Sequence, residues 1–203
     1  MTALLDRAIA ILWVVARGGA WAGGAILFAI SGLIAAEVIG RRFFNFSFQG
    51  VDEVSGYALA VVSAWAFGFA LLSRTHIRID TIYMLVPRRL QAVLDLLSLA
   101  AVTLFFGMVV WFGWLLLQRS LLLNSRAMTP LQTPLAIPQS IWLVGMAVFV
   151  LVAAVLFLRT ALALFQGNLD QAAALAGSRS AAQEVEEEIA GVQTILSAEV
   201  TRP

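Results

Sequence analysis

Four long apolar stretches in this chain carry no charged residue from end to end, and they constrain the fold more than any other feature. They run from Gly18 to Ala36, Val54 to Ser73, Leu96 to Gln118 and Gln139 to Leu158. About 20 helical residues at 1.5 Å rise cross the hydrocarbon core of a bilayer, so each stretch has the length of a transmembrane helix. With 61% hydrophobic residues and a mean hydropathy of +0.92 over 203 residues, a soluble core is excluded. The expected fold is all-α, an integral membrane four-helix bundle. Membrane proteins that move ions or do chemistry at mid-depth keep ionisable groups there despite the cost. Here every Asp, Glu, Arg and His falls at the ends of the spans.

The counts remove several function classes. A net charge of +1 without a basic run argues against nucleic acid as a partner. Zero cysteines exclude disulfides and thiolate chemistry, and the single histidine, His76, excludes a bis-His haem within this chain. No cofactor is implied, and no catalytic, substrate-binding or metal-binding residue is expected.

The chain divides into an N-terminal segment (1–17), the four-span region (18–158) and a tail (159–203). Asp6 and Arg7 precede an apolar run from Ala8 to Ala16, and Ala20-Trp21-Ala22 resembles a small-residue cleavage site. Arg17 interrupts that pattern and a full span follows at once, which favours an interfacial helix over a removable signal peptide. Trp13 would sit at headgroup depth, and the chain would turn at Gly18-Gly19 into the first span. Nine arginines flank one side of the spans, in the N-terminal arm, the second loop and the tail, against four in the first and third loops. By the positive-inside rule both termini face the cytoplasm. Pro130, Pro134 and Pro138 preclude a regular helix through the third loop. In the tail, Ser180 to Gln183 fits a capping box, and Val185, Ile189, Val192 and Leu196 share one face. An acidic amphipathic helix over 180–199 is expected, suited to protein contact or left as a loosely ordered tail.

The candidate functional residues lie in the loops. Glu37 and Arg41 are one turn apart and suit an ion pair ending the first span. Asp52 and Glu53 open the second span, where the helix dipole favours acids, and both are within reach of Arg41 or Arg42 across the loop. The first loop is rich in Phe43, Phe44, Phe46 and Phe48, which reads as an interfacial belt or as a docking surface. The second loop holds the densest polar cluster, Arg74-Thr75-His76-Ile77-Arg78-Ile79-Asp80. No acid–base dyad or nucleophile accompanies His76. Gly19 and Gly23, with Ala60, Ala64 and Gly68, form small-residue faces that let helices approach closely, within this chain or against a second membrane subunit.

Taken in order, these features resemble the small membrane subunit of tripartite ATP-independent periplasmic (TRAP) transporters. The matching stretches are Glu37-Val38-Ile39-Gly40-Arg41-Arg42-Phe43-Phe44-Asn45, then Asp52-Glu53. Arg74 with His76-Ile77-Arg78-Ile79-Asp80 follows, then Thr133-Pro134-Leu135-Ala136-Ile137-Pro138 with Trp142. The resemblance spans about Ser31 to Leu158. Gln49-Gly50-Val51 stands where many members have a Trp, and nothing beyond Gln166 matches.

The resemblance implies a division of labour in a bacterial inner membrane. A periplasmic substrate-binding protein delivers an organic acid, a large membrane subunit carries it with coupling sodium ions, and the small subunit is a fixed scaffold in the lipid bilayer. Arg41, Arg42, Asp52 and Glu53 would then help receive the binding protein, and Arg74, His76, Arg78 and Asp80 would fix the second loop, internally or to the large subunit. The rival readings are a self-sufficient small transporter or channel, which needs a polar lining or internal repeat, and a membrane anchor subunit of another complex.

Overall fold

The computed structural model describes residues 2–74 and 86–176, together with Ile189. It is all-α; the described residues give the helices α1 (Thr2–Phe44), α2 (Val51–Leu72), α3 (Arg88–Leu122), α4 (Ala136–Phe165) and the short α5 (Leu169–Ala176). The first four are long and apolar enough to cross a membrane, and each contains one of the charge-free stretches, except that Ser73 falls just past the end of α2. No strand forms among the described residues; an isolated bridge between Arg126 and Pro134 is the nearest approach to one.

The N-terminal segment departs from expectation. α1 is continuous over 43 residues, about 65 Å of helix, and the turn expected at Gly18-Gly19 is absent. The glycines are held in the helix by what they touch. A Cβ on Gly19 would lie 2.7 Å from the Trp65 ring, and one on Gly23 would lie 2.8 Å from Val62. Close packing on α2 thus outweighs glycine's weak helix propensity. Residues 2–17 extend the same helix into the core: Leu12 clusters with Leu99, Val152 and Leu156, and Ala16 is fully buried.

Helix order in space is not chain order. α2 packs on α1 and on α4, α3 packs on α4, and α1 touches α4 more narrowly. The row is therefore α1–α2–α4–α3, with α4 the most enclosed helix. In lipid the hydrophobic effect does not drive helices together, so van der Waals fit and hydrogen bonds must. Trp65 supplies both. Its ring fills a slot between Gly19 of α1 and Gly145 of α4, where a Cβ would lie 2.7 Å from Trp65 Cδ1. Its indole N–H donates to the Ile141 carbonyl at 3.2 Å, the same carbonyl that accepts the helical bond of residue 145. One layer further, Phe67, Phe106 and Phe149 join α2, α3 and α4, with Phe106 and Phe149 edge to face at 4.9 Å. Ala64 and Gly68 of the small-residue ridge are buried and Ala60 is exposed, so the ridge serves internal packing over two of its three positions.

α4 starts at Ala136, two residues before Pro138. Proline is tolerated there because the first four amides of a helix have no partner within it. α4 also runs past Leu158 to Phe165, where Gly167 (φ 73) reverses the chain and the Asn168 amide donates to the Ala163 carbonyl. The Asn168 side chain then caps α5, accepting from the Gln171 amide at 3.0 Å. The expected helix over 180–199 lies outside the described residues except for Ile189, which is helical and half exposed.

Candidate functional site

Within the spans, several side-chain hydroxyls are used up locally, while the buried hydroxyls of Ser73 and Thr160 make no hydrogen bond among the described residues. Ser31, Ser55 and Thr103 each donate to the carbonyl four residues back, on Leu27, Val51 and Leu99. Among the described residues no three His, Asp or Glu gather as a metal site would require. Polar chemistry is confined to the two ends of the bundle.

At the end formed by the first and third loops, two carboxylates organise the chain. α1 ends at Phe44, Asn45 takes a left-handed turn (φ 48), and the Phe46 amide returns to the Gly40 carbonyl. This brings Ser47 and Phe48 back over Glu37. The Ser47 hydroxyl donates to Glu37 at 2.7 Å and the Phe48 amide donates to its other oxygen. The Ser47 bond, then the Phe48 bond, hold the Glu37 carboxyl below its usual range against the opposing effect of burial, and Arg41 adds a smaller electrostatic contribution. The expected Glu37–Arg41 pair is therefore secondary: Glu37 is a clasp for the first loop.

Glu53 plays the same part between loops. It accepts from the hydroxyls of Thr129 and Tyr57, the latter at 3.0 Å. Bonds from Thr129 first, and then Thr133, hold its carboxyl below the usual range. The third loop is shaped to offer them. Ala127 donates to the Thr133 carbonyl and Leu135 to the Ser125 carbonyl, a miniature hairpin with the reversal at Gln132 (φ 47). Gly50, at the start of α2 with φ 90, lies against Leu131 of that hairpin, so closely that a Cβ would fall 2.2 Å from Leu131 Cδ1. Gly50 thus meets two demands at once, a left-handed backbone and zero side-chain volume.

Because Glu37 and Glu53 are turned to loop donors, the charge left facing outward is lopsided. Arg41, Arg42, Arg119 and Arg126 are exposed, and Asp52 is the exposed acid among them. No ion pair joins Arg41 or Arg42 to Asp52 or Glu53. Around this basic rim stand Phe43 and Phe44, each 76% exposed, with Phe46, Phe48, Leu131 and the fully exposed Met128. The four residues expected here share one surface, but they divide by role: Arg41, Arg42 and Asp52 face outward and Glu53 holds the loops together.

At the opposite, terminal end lie the start of α1, the end of α2, the start of α3 and the end of α4 with α5. Arg74 lies in the turn after α2 (φ 53), its amide donating to the Leu71 carbonyl. His76, Arg78 and Asp80 lie outside the described residues. Sequence reading missed an ion pair at this end. Arg159, 5% exposed, donates from Nε to Asp6 Oδ1 at 2.8 Å, joining α4 to the start of α1 across 153 positions. Asp95 and Thr160 are buried too, each about one turn from the Leu99 and Leu156 layer. A charge at each end of a charge-free stretch was visible in the sequence; that these charges turn inward was not.

A model of the family of tripartite ATP-independent periplasmic transporters, DctQ component, matches residues 30–163. The chain belongs to this family. It is a small membrane component of a TRAP transporter, as its motif order implied. Neither the curated proteins nor the solved structures gave a match. The matched region begins inside α1 and ends in the last turns of α4, so it takes in both carboxylate clasps and, of the Trp65 slot, Trp65 and Gly145 but not Gly19.

Proposed function

We propose that this component is the stationary scaffold of a sodium-coupled importer of an organic acid in a bacterial inner membrane, without enzymatic activity of its own. It stands beside the large transport subunit, with both termini in the cytoplasm and the first and third loops in the periplasm. There it helps receive the substrate-binding protein. Arg74, His76, Arg78 and Asp80 fix the second loop on the cytoplasmic side, internally or to the large subunit. The observation that carries this reading is the outward charge of the loop surface. With Glu37 and Glu53 consumed by Ser47, Phe48, Thr129 and Tyr57, the surface presents exposed arginines around a preorganised loop pair. Such a surface suits an acidic face on a soluble partner, since complementary charge raises encounter rates and fixes orientation. The spans support a scaffold because their central stretches carry no charged side chain, whereas carrying a carboxylate and sodium needs polar groups or broken helices at mid-depth.

Reversing Arg41 and Arg42 to Glu tests the assignment. Docking of the binding protein to the purified membrane complex should weaken by roughly ten-fold or more at low salt and less at high salt, while the two membrane subunits still co-purify. Unchanged docking would overturn it. Flux of substrate or ions through liposomes holding this chain alone would favour a self-sufficient transporter instead.

A further inference from the structure

The terminal half of α1 carries a feature that neither packing nor docking uses. Arg17 is exposed, flanked by apolar turns on both sides in one unbroken helix, and makes no ion pair or hydrogen bond among the described residues. A charged side chain so placed in a membrane-spanning helix is costly unless it reaches a counter-charge or the interface. It lies in a groove of about 620 Å³, within the range of small-molecule sites. Trp13 and Trp21, one turn to either side of Arg17, form the walls with Phe69 of α2, and Ala20, Gly24 and Ala25 leave the floor low.

The groove has polarity as well as size. Arg17 and Trp13 stand toward the chain terminus, and the small apolar residues continue toward the middle of the bilayer. From Trp13 to Ala25 is about 18 Å along the helix, close to half of a hydrocarbon core about 30 Å thick. Trp is favoured at headgroup depth, where one edge of its ring is wet and the rest is apolar. We propose that this groove is a binding site for one phospholipid of the leaflet on the terminal side, its phosphate on the Arg17 guanidinium and an acyl chain laid over Ala20, Gly24 and Ala25 between the two indoles. A single unpaired guanidinium with five donors in a planar fork matches a phosphate, and the apolar floor beyond it matches the chain attached to that phosphate. The site rests on the bilayer-spanning reading and is independent of what the transporter carries.

Native mass spectrometry of the full-length chain in mild detergent, titrated with phosphatidylglycerol, tests it. The expected result is a bound lipid whose affinity falls roughly five-fold in Arg17→Gln and is largely kept in Arg17→Lys. Gly24→Leu, which fills the open floor where a Cβ meets nothing, should also release it while circular dichroism stays unchanged. Equal lipid binding by wild type, Arg17→Gln and Gly24→Leu would overturn the proposal. So would the complete complex holding no lipid while a photo-crosslinker at position 21 captures the large subunit, because the groove would then be a protein interface.

Discussion

The two ends of the bundle solve one problem, a charge turned inward, in opposite ways. At the loop end, Glu37 and Glu53 are anions met by neutral donors: hydroxyls of Ser47, Thr129 and Tyr57 and the Phe48 amide. At the terminal end, Arg159 is a cation met by a charge, Asp6, and its Nη1 is left without a partner. Neutral donors on short segments fix the shape of loops without spending surface charge, which leaves arginines facing outward. An ion pair between the first and fourth helices fixes helix position instead. The loop end is thus built to present a surface and the terminal end to lock a frame.

The contrast breaks most visibly at Asp6. Removing one partner of a buried pair leaves an uncompensated charge, which costs about 3–5 kcal/mol when both are fully enclosed. Asp6 is half exposed, so water recovers part of that, and Asp6→Asn should cost roughly 2–3 kcal/mol. The double variant Asp6→Asn, Arg159→Met should recover most of the loss, since an apolar side chain of similar length needs no counter-charge. Thermal unfolding of the purified protein in detergent reads both. A double variant no better than Asp6→Asn would mean that Arg159 contributes packing, not a charge to be neutralised.

At the loop end the corresponding change is Gly50→Ala. A left-handed residue other than Gly, Asn or Asp costs about 1–2 kcal/mol, and the new methyl must also displace the Leu131 side chain. Because Leu131 is 46% exposed it can swing away, so the expected total is about 2 kcal/mol, less than for Asp6→Asn. Limited proteolysis should show the damage in the third loop and not at the termini. Cleavage confined to the first loop would show that Gly50 and Leu131 are not coupled.

These effects also mark where sequence reading ran out. Span positions were legible because absence of charge over about 20 residues is a local property. The Gly19–Gly23 step was legible as a close-packing face, and its partner turned out to be α2. What no local pattern encodes is which distant residue meets which. Trp65 reaches Ile141 across 76 positions, Thr129 reaches Glu53 across 76, and Arg159 reaches Asp6 across 153. The expected turn at Gly18-Gly19 failed for the same reason: two adjacent glycines signal a break locally, and the Trp65 ring lying over Gly19 overrides that signal. Glu37 was read as an Arg41 partner because i,i+4 is the one pairing that sequence makes obvious; the stronger donors, Ser47 and Phe48, come from a chain reversal at Asn45.

The smallest effect distinguishes the ends by pH. Glu37 and Glu53 both sit below the ordinary carboxylate range when folded, so each binds protons less readily in the folded state than in the unfolded one. Their contribution is therefore present in full above the ordinary carboxylate pKa and fades as pH falls through the lower folded values. Acidification should loosen the loop end first, read as faster amide exchange at Ser47, Phe48 and Thr133 while amides around Leu156 stay protected. Glu37→Gln and Glu53→Gln should flatten that pH dependence, because an amide does not titrate over this range. Each would start from a looser loop, having traded an anionic acceptor for a neutral one. Were the Gln variants to keep the wild-type acid dependence, the loops would be held by something other than these two carboxylates, and the basic outward surface would need another explanation.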